Sequence, residues 1–145
     1  MLWVAAVFLA GPLADLSGLS RLSASPVLVA VGIGFAIAGF VTVRWAQRSM
    51  GDSLRIGVDP NERTGLVTKG IFDLVRNPIY SAMILYAAGT AALVPNAASI
   101  AALVAFVISM EYQVRRVEEP HLTNVHGDEY LSYAARVGRF VPGVG

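Results

Sequence analysis

The stretch "PIYSAMILYAAGTAALVPNAASIAALVAFVISM", residues 78–110, contains no charged side chain. A helix needs about 20 largely apolar residues to cross the hydrocarbon core of a bilayer. The pair Pro95-Asn96 interrupts the stretch and is a turn signal. We therefore predict two membrane helices, over 78–94 and 97–116, joined by a tight turn. The outer ends of this hairpin should emerge side by side.

The rest of the chain is also strongly apolar. Of its 145 residues, 55% are hydrophobic and 14% are charged, whereas a soluble domain usually has about 25% charged residues. Residues 27–46 form another segment of membrane-spanning length, and 2–16 form a shorter one that is interrupted at Gly11-Pro12. We expect a single domain, residues 1–145, that is an all-α integral membrane protein with about four transmembrane helices.

Small residues recur at helical spacing in the 27–46 segment, at Ala30, Gly34 and Ala38. In lipid, such a stripe lets two helices approach closely. We therefore predict that this stripe packs against a neighbouring helix.

The basic residues predict the orientation. Of the 11 lysines and arginines, six lie in 44–76 and four lie in 115–139. The positive-inside rule then places the 47–77 loop and the C-terminal tail together in the cytoplasm. We expect an integral protein of a bacterial cytoplasmic membrane.

The loop and the tail both contain apolar residues that predict folded structure. The 47–77 loop has too many of them for a disordered segment, so it should fold back against the membrane surface. The tail sequence "GDEYLSYAARVGRFVP" predicts a short amphipathic helix, with one side formed by Tyr130, Tyr133, Ala134 and Val137.

Composition also excludes several kinds of site. The absence of cysteine excludes disulfides and thiolate catalysis, and only two histidines are present, so no metal site is expected. A net charge of +1 gives no indication of a nucleic-acid partner. Transporters usually carry charges within the membrane, and residues 27–43 and 79–110 carry none, which leaves a membrane adaptor as a non-enzymatic alternative.

The motif "LVRNPIYS", residues 74–81, begins the third apolar helix. Asn77 is suited to the N-cap and Pro78 to the first helical position. The free N–H groups of the helix and the charge of Arg76 together favour a bound carboxylate or phosphate. The alternative is a well-capped helix whose interfacial arginine meets lipid headgroups.

The second motif, "RRVEEPHL" at residues 115–122, follows the last apolar segment. Pro120 disfavours helical geometry at Glu119, so we predict that the helix ends at Glu118 and that Glu119 turns away. Acidic residues at a helix C-terminus oppose the helix dipole, so a helix end selected only for stability would not carry Glu118 and Glu119. The alternative interpretation is a solvated helix end that is stabilised by salt bridges. An anion site facing carboxylates would suit a zwitterion that has a further cationic centre, such as S-adenosylmethionine.

The segments "GIFDLVRNPIYSAM" and "RRVEEPHLTNVHGDEYLSYAARVGRFVP" together resemble the isoprenylcysteine carboxyl methyltransferase family. That family belongs to a wider group of membrane methyltransferases, which includes phospholipid N-methyltransferases. The resemblance covers residues 65–142 in the right order, and the first two apolar segments carry no motif. One departure is Asn77, which stands where many relatives have histidine.

This resemblance implies a helical membrane bundle whose cytoplasmic pocket, built from the 47–77 loop and the tail, binds S-adenosylmethionine. The implied acceptor is lipid-like or small and apolar, with an isoprenylcysteine carboxylate favoured. The implied cofactor-binding residues are Gly70, Val75, Arg76, Asn77, Pro78, Tyr80, Glu118, Glu119 and Tyr130. The implied catalytic residues are Glu118, Arg116 and Arg139, and Tyr133 and Pro142 match the tail. The enzymatic alternative is an NADPH-dependent membrane reductase of the sterol type.

Overall fold

The computed structural model describes Leu13, Leu16 and residues 25–50 and 65–145. The regular elements within these ranges are helices, accompanied by isolated backbone bridges. In chain order the elements are α1 (Pro26–Met50), a 3₁₀ turn (Gly70–Asp73), α2 (Pro78–Leu93), α3 (Ala97–Gln113), a π turn (Val114–Glu118), α4 (Glu119–His126) and α5 (Asp128–Ala134).

The helices are those of a membrane protein. Two helical runs, Pro26–Met50 and Ala97–His126, are long and apolar enough to cross a membrane, and Pro78–Leu93 is apolar but shorter. Helix α1 continues to Met50, so the loop that follows it starts later than predicted. The predicted segment 2–16 lies almost wholly outside the described residues, and the count of four spans stays a prediction.

The turn between α2 and α3 is held by a buried cap. Oδ1 of Asn96 accepts a hydrogen bond from the backbone N–H of Ser99 at 2.8 Å, which is the pairing expected of an N-cap residue. The hydroxyl of Ser99 donates to the carbonyl of Val94 at 2.6 Å. Asn96 is only 1% exposed. The predicted break at Pro95-Asn96 is confirmed.

The predicted end of the last long helix at Glu118 is wrong. Glu119 has helical dihedral angles, φ −61° and ψ −43°, and its N–H bonds to the carbonyl of Val114, five residues earlier. The helix then continues through Pro120 to His126. A proline inside a regular α-helix lacks one N–H donor and collides with the carbonyl four residues before it. The wider π turn directly before Pro120 relieves this conflict, so the helix does not break.

The chain divides into two compact units. The first combines the residues up to Val41 with Ala82–Glu111, and the second combines Thr42–Ser81 with Tyr112–Gly145. Both sequence motifs, "LVRNPIYS" and "RRVEEPHL", belong to the second unit.

In the first unit, α1 and α2 make close backbone contact through glycines. A Cβ atom built on Gly89 would lie 2.7 Å from the carbonyl oxygen of Gly32, and one on Gly39 would lie 2.8 Å from that of Ala82. A Cβ atom on Gly34, by contrast, would meet nothing within 4 Å. The predicted stripe through Gly34 is therefore wrong, because the face of α1 that carries Gly32 and Gly39 makes the contact.

We expect Gly89→Ala to destabilise this helix pair by about 1–3 kcal/mol, because the added methyl group would collide with backbone that cannot move aside independently. The matched control is Gly34→Ala, where the same methyl group enters open space. Thermal unfolding of both variants in detergent tests the prediction. Equal melting temperatures would show that α1 and α2 do not approach each other at Gly89.

The second unit has a small core built around the tail. Tyr130, Tyr133 and Val137 are buried together, and Leu66, Leu122 and Ala134 pack against them. The rings of Tyr130 and Tyr133 meet edge to face with their centroids 6.3 Å apart. The predicted apolar side of the tail is confirmed, although α5 itself ends at Ala134. The part of the loop described here, 65–77, contributes buried Ile71 and Val75.

Candidate functional site

The tail pairs with the chain just before α2. The backbone N–H of Arg76 donates to the carbonyl of Gly138 at 2.8 Å, and that of Asn77 donates to the carbonyl of Arg139 at 3.0 Å. The side-chain amide of Asn77 donates to the same Arg139 carbonyl at 3.3 Å. Helix α2 begins at Pro78, as predicted. The N-terminal end of α2 is therefore held against the tail by backbone hydrogen bonds.

Two arginines share one carboxylate beside this junction. Nε of Arg139 donates to Oε1 of Glu119 at 2.7 Å, and Nη2 of Arg139 donates to Oε2 at 3.0 Å, which is a bidentate pair. Nη2 of Arg76 lies 3.4 Å from Oε1 of Glu119. The exposed fractions of the side chains are 6% for Arg76, 10% for Arg139 and 18% for Glu119. This shielded trio carries a net charge of +1.

Arg76 keeps an unused hydrogen-bond donor. Its Nη2 donates to a backbone oxygen of the C-terminal residue, Gly145, at 2.7 Å, but its Nε is buried and has no partner among the described residues. Leaving such a donor unsatisfied usually costs about 1–3 kcal/mol, and more for a charged group. The buried guanidinium of Arg76 is therefore incompletely paired among the described residues, which makes it a candidate for binding an anion.

A cavity of about 190 Å³ opens beside Arg76. Its polar lining comes from Arg76, Asn77, His126 and the two buried tyrosines. Its other lining residues, mostly apolar, are Met50, Gly65, Leu66, Val67, Phe72 and Leu122. The cavity is thus lined by the guanidinium-bearing Arg76 together with mainly apolar residues.

The tyrosines of the cavity are held in their neutral form. The pKa of Tyr133 is raised to about 12, mainly because burial disfavours the phenolate. Burial also raises the pKa of Tyr130, and the Glu119 carboxylate adds to that effect while Arg76 and Arg139 oppose it. The hydroxyl of Tyr133 donates to the carbonyl of Phe72 at 2.5 Å. Tyr133 therefore ties the tail to the 3₁₀ turn.

A second acidic side chain makes a separate pair. The hydroxyl of Tyr80 donates to Oε1 of Glu118, so the two outer ends of the predicted hairpin do meet. Successive helical residues project about 100° apart, which is why Glu118 and Glu119 bind different partners without crowding. Neither Tyr80 nor Glu118 lines the cavity.

A family model described as phospholipid methyltransferase matches residues 27–129, which is more than half of the chain. The chain belongs to the phospholipid methyltransferase family. The resemblance to membrane methyltransferases that was inferred from the two motifs is thereby confirmed. Membership favours the methyltransferase interpretation over both the reductase and the adaptor.

Among curated proteins, the chain is similar to plant members of the isoprenylcysteine branch. It is 31% identical over 116 residues to protein-S-isoprenylcysteine O-methyltransferase A of Arabidopsis thaliana, covering 80% of this chain and 56% of that protein. It is 30% identical over 115 residues to protein B of the same plant, covering 77% and 57%. The probable enzyme of Oryza sativa subsp. japonica is 33% identical over 118 residues, covering 79% and 59%. The chain thus spans less than 60% of the length of these relatives. No solved structure matches it.

The family motif residues divide into three groups in the structure. Arg76, Asn77 and Tyr130 line the cavity, and Glu119 and Arg139 contact Arg76 or its partners. Glu118 and Tyr80 form their own pair. The remaining predicted residues lie away from the cavity lining: Gly70, Val75, Pro78 and Arg116.

Two of these remaining residues have clear structural roles. Gly70 has φ +68°, and a Cβ there would lie 2.6 Å from Oγ of Ser49, so the position requires glycine. Val75 is buried and forms a backbone bridge with Gly138. Arg116 is exposed on the π turn, and its catalytic role stays a prediction that this geometry does not favour.

Sequence reasoning missed the apolar lining of the cavity in this methyltransferase-family chain. Leu66, Val67 and Phe72 are among the apolar loop residues that predicted only a folded loop, Leu122 is part of the motif "RRVEEPHL" but was given no role, and Met50 carried no signal. Apolar residues outside a periodic helix could indicate burial, but not which cavity they face.

We expect Tyr133→Phe to lower the free energy of unfolding by about 0.5–1.5 kcal/mol at neutral pH, because the bond to Phe72 is lost. The wild type should lose stability as pH rises from 10 towards 12, since the unfolded chain releases this proton near pH 10 while the folded protein holds it to about 12. The variant should show a shallower decline over that range. Denaturation at pH 7 and pH 11 measures both effects, with exposed Tyr112→Phe as the control.

Proposed function

We propose that this chain uses S-adenosylmethionine to methylate a lipid-like or small apolar acceptor at the cytoplasmic face of a membrane. The observation that carries the proposal is the buried Arg76, which lines a cavity and whose Nε has no partner among the described residues, in a chain of the phospholipid methyltransferase family. The named relatives are methyltransferases, and each matches the chain over only part of its own length.

The side chains at the cavity fit the chemical groups of this cofactor. A carboxylate would satisfy the free donor of Arg76, and charge-assisted hydrogen bonds of this kind are the stronger ones. The aromatic rings of Tyr130 and Tyr133 border the same space and offer faces to a cationic or aromatic group. Ligand pockets are typically about 300–1,000 Å³, so a cavity of 190 Å³ would take one end of such a cofactor.

The two glutamates are proposed to act differently. Both carboxylate oxygens of Glu119 are engaged by arginines, so we assign Glu119 to holding Arg76 in place. Glu118 has the neutral hydroxyl of Tyr80 as its partner, and no cation neutralises it among the described residues. We assign Glu118 to the cationic part of the bound cofactor.

When bound, S-adenosylmethionine supplies a methyl group that its positively charged sulfur has already activated. The protein's own contribution is alignment and the exclusion of water. Arg139 and Glu119 orient Arg76, and Leu66, Phe72 and Leu122 make the cavity wall apolar. A carboxylate acceptor needs no proton removed, whereas an amine or thiol does. The hydrogen-bonded pair of Glu118 and Tyr80 is the candidate to receive such a proton.

The acceptor is proposed to be lipophilic. The helices of this chain are apolar enough to lie in a bilayer, and the relatives' names specify an isoprenylcysteine. A carboxylate of the isoprenylcysteine type is therefore the acceptor we favour. The phospholipids named by the family model are the second class to test.

Calorimetry on the purified protein should show binding of S-adenosylmethionine and of its demethylated product, and no binding of NADPH. A labelled-methyl assay in liposomes should then compare prenylcysteine, phosphatidylethanolamine and thiol acceptors. Binding of NADPH without any response to either sulfur compound would overturn the proposed function.

A further inference from the structure

Three consecutive carbonyls of the tail are held by the start of α2. We call residues 138–141 the tail strap. The carbonyls of Gly138 and Arg139 accept from the backbone N–H groups of Arg76 and Asn77. The third carbonyl, that of Phe140, accepts from the hydroxyl of Ser81 at 2.8 Å. The strap is thus held by two backbone donors and by the side chains of Asn77 and Ser81.

Arg139 belongs to the strap, so the hydrogen bonds that hold the strap also hold the backbone of Arg139. The backbone carbonyl of Arg139 is bound by Asn77, and its guanidinium forms the bidentate pair with Glu119. Glu119 in turn lies against Arg76. A displacement of the strap would therefore move Arg139 and Glu119, and with them the guanidinium of Arg76, whose residue lines the cavity.

The single proton of the Ser81 hydroxyl is shared with a second acceptor, the carbonyl of Asn77 at 3.0 Å. A bond to the carbonyl four residues earlier is common for serine within helices. Among the described residues, Ser109 makes just that ordinary bond, to the carbonyl of Ala105 at 2.8 Å. Ser81 differs because its oxygen also reaches the strap. The comparison of the two serines isolates the contribution of the strap contact.

We propose that Ser81 is a positioning residue for the anion site at Arg76, acting through the tail strap and Arg139. Ser81 does not line the cavity, and although it ends the motif "LVRNPIYS", neither that motif nor the family resemblance gives it a role. The expected effect of Ser81 on cofactor binding rests on the proposed function. The expected effect of Ser81 on the strap does not depend on that function.

The test uses Ser81→Ala, with Ser81→Thr to restore the hydroxyl and Ser109→Ala as the matched control. Hydrogen exchange at the amides of Arg76 and Asn77 reports the strap without any ligand. We expect faster exchange at these amides in Ser81→Ala by about three- to tenfold, the ratio that corresponds to one ordinary hydrogen bond. Ser81→Thr and Ser109→Ala should both resemble the wild type.

The second measurement is kinetic and calorimetric. In Ser81→Ala, the dissociation constant and the KM for S-adenosylmethionine should rise by about three- to tenfold while kcat changes less than about twofold. Unchanged amide exchange in Ser81→Ala, or an equal change in Ser109→Ala, would overturn the role of Ser81. A loosened strap with unaltered cofactor affinity would overturn its coupling to Arg76. If the wild type binds no S-adenosylmethionine, the proposed function fails, and the exchange data still decide whether Ser81 holds the strap.

Discussion

Replacing Glu119 with Gln is expected to lower the free energy of unfolding by about 3–5 kcal/mol, the usual result of leaving a buried charge without its partner. The substitution preserves the shape of the side chain but removes the negative charge that Arg76 and Arg139 share. Two poorly exposed guanidinium groups would then repel each other. The affinity for S-adenosylmethionine should also fall, because Arg76 would lose its fixed position. Denaturation in detergent, together with calorimetry, measures both effects.

Glu129→Gln is the matched control for this variant. Glu129 is exposed in the first turn of α5. Removing a carboxylate there should change the free energy of unfolding by only roughly a few tenths of a kcal/mol. Glu118→Gln supplies a second comparison. It should weaken cofactor binding. Its loss of stability should be smaller than that of Glu119→Gln, because the partner of Glu118 is the neutral hydroxyl of Tyr80 and no buried charge is left unpaired. If Glu119→Gln were as stable as Glu129→Gln, the trio of charges would contribute nothing to the fold.

Replacing Arg76 with Lys is expected to weaken the binding of S-adenosylmethionine by about ten- to a hundredfold, which corresponds to the loss of one charge-assisted hydrogen bond. Lysine keeps the positive charge, so the interaction with Glu119 survives in part. It lacks the planar guanidinium and its Nε donor, and that donor is buried without a partner among the described residues. Calorimetry with the cofactor and with its demethylated product measures the change.

Arg136→Lys is the control for the arginine variant. Arg136 is exposed in the tail, and its Nε donates to the carbonyl of Ser132 at 3.3 Å. The same chemical change should there leave cofactor affinity as in the wild type. Undiminished affinity in Arg76→Lys would mean that the cofactor's anionic group does not lie on Arg76.

The sequence predicted the hairpin and the start of α2 well because local signals specify both. Asn96 follows a proline and can cap the next helix with its own side chain. Pro78 fits a first helical position whatever surrounds it. Each of these features depends on the chemistry of two or three adjacent residues, so no knowledge of distant contacts was needed.

The end of the long helix was mispredicted because a local preference was overruled. Pro120 disfavours helical geometry at Glu119, and in a regular α-helix its ring would also collide with the carbonyl four residues earlier. The π turn at Val114–Glu118 relieves the second of these conflicts, and the helix continues despite the first. The arginines that engage Glu119 come from the start of α2 and from the tail, far from Pro120 in sequence. Nothing in the local pattern indicates that those contacts exist.

The amino-acid sequence by itself determined the helical membrane class, the turn at Pro95-Asn96, the apolar side of the tail and the methyltransferase family. These follow from composition, periodicity and ordered motifs, all of which are properties of short segments. Only the tertiary structure decided that Glu119 belongs to Arg76 and Arg139, that Glu118 belongs to Tyr80, and which face of α1 packs. Such pairings join residues that are distant along the chain, and they depend on backbone positions that no local preference specifies.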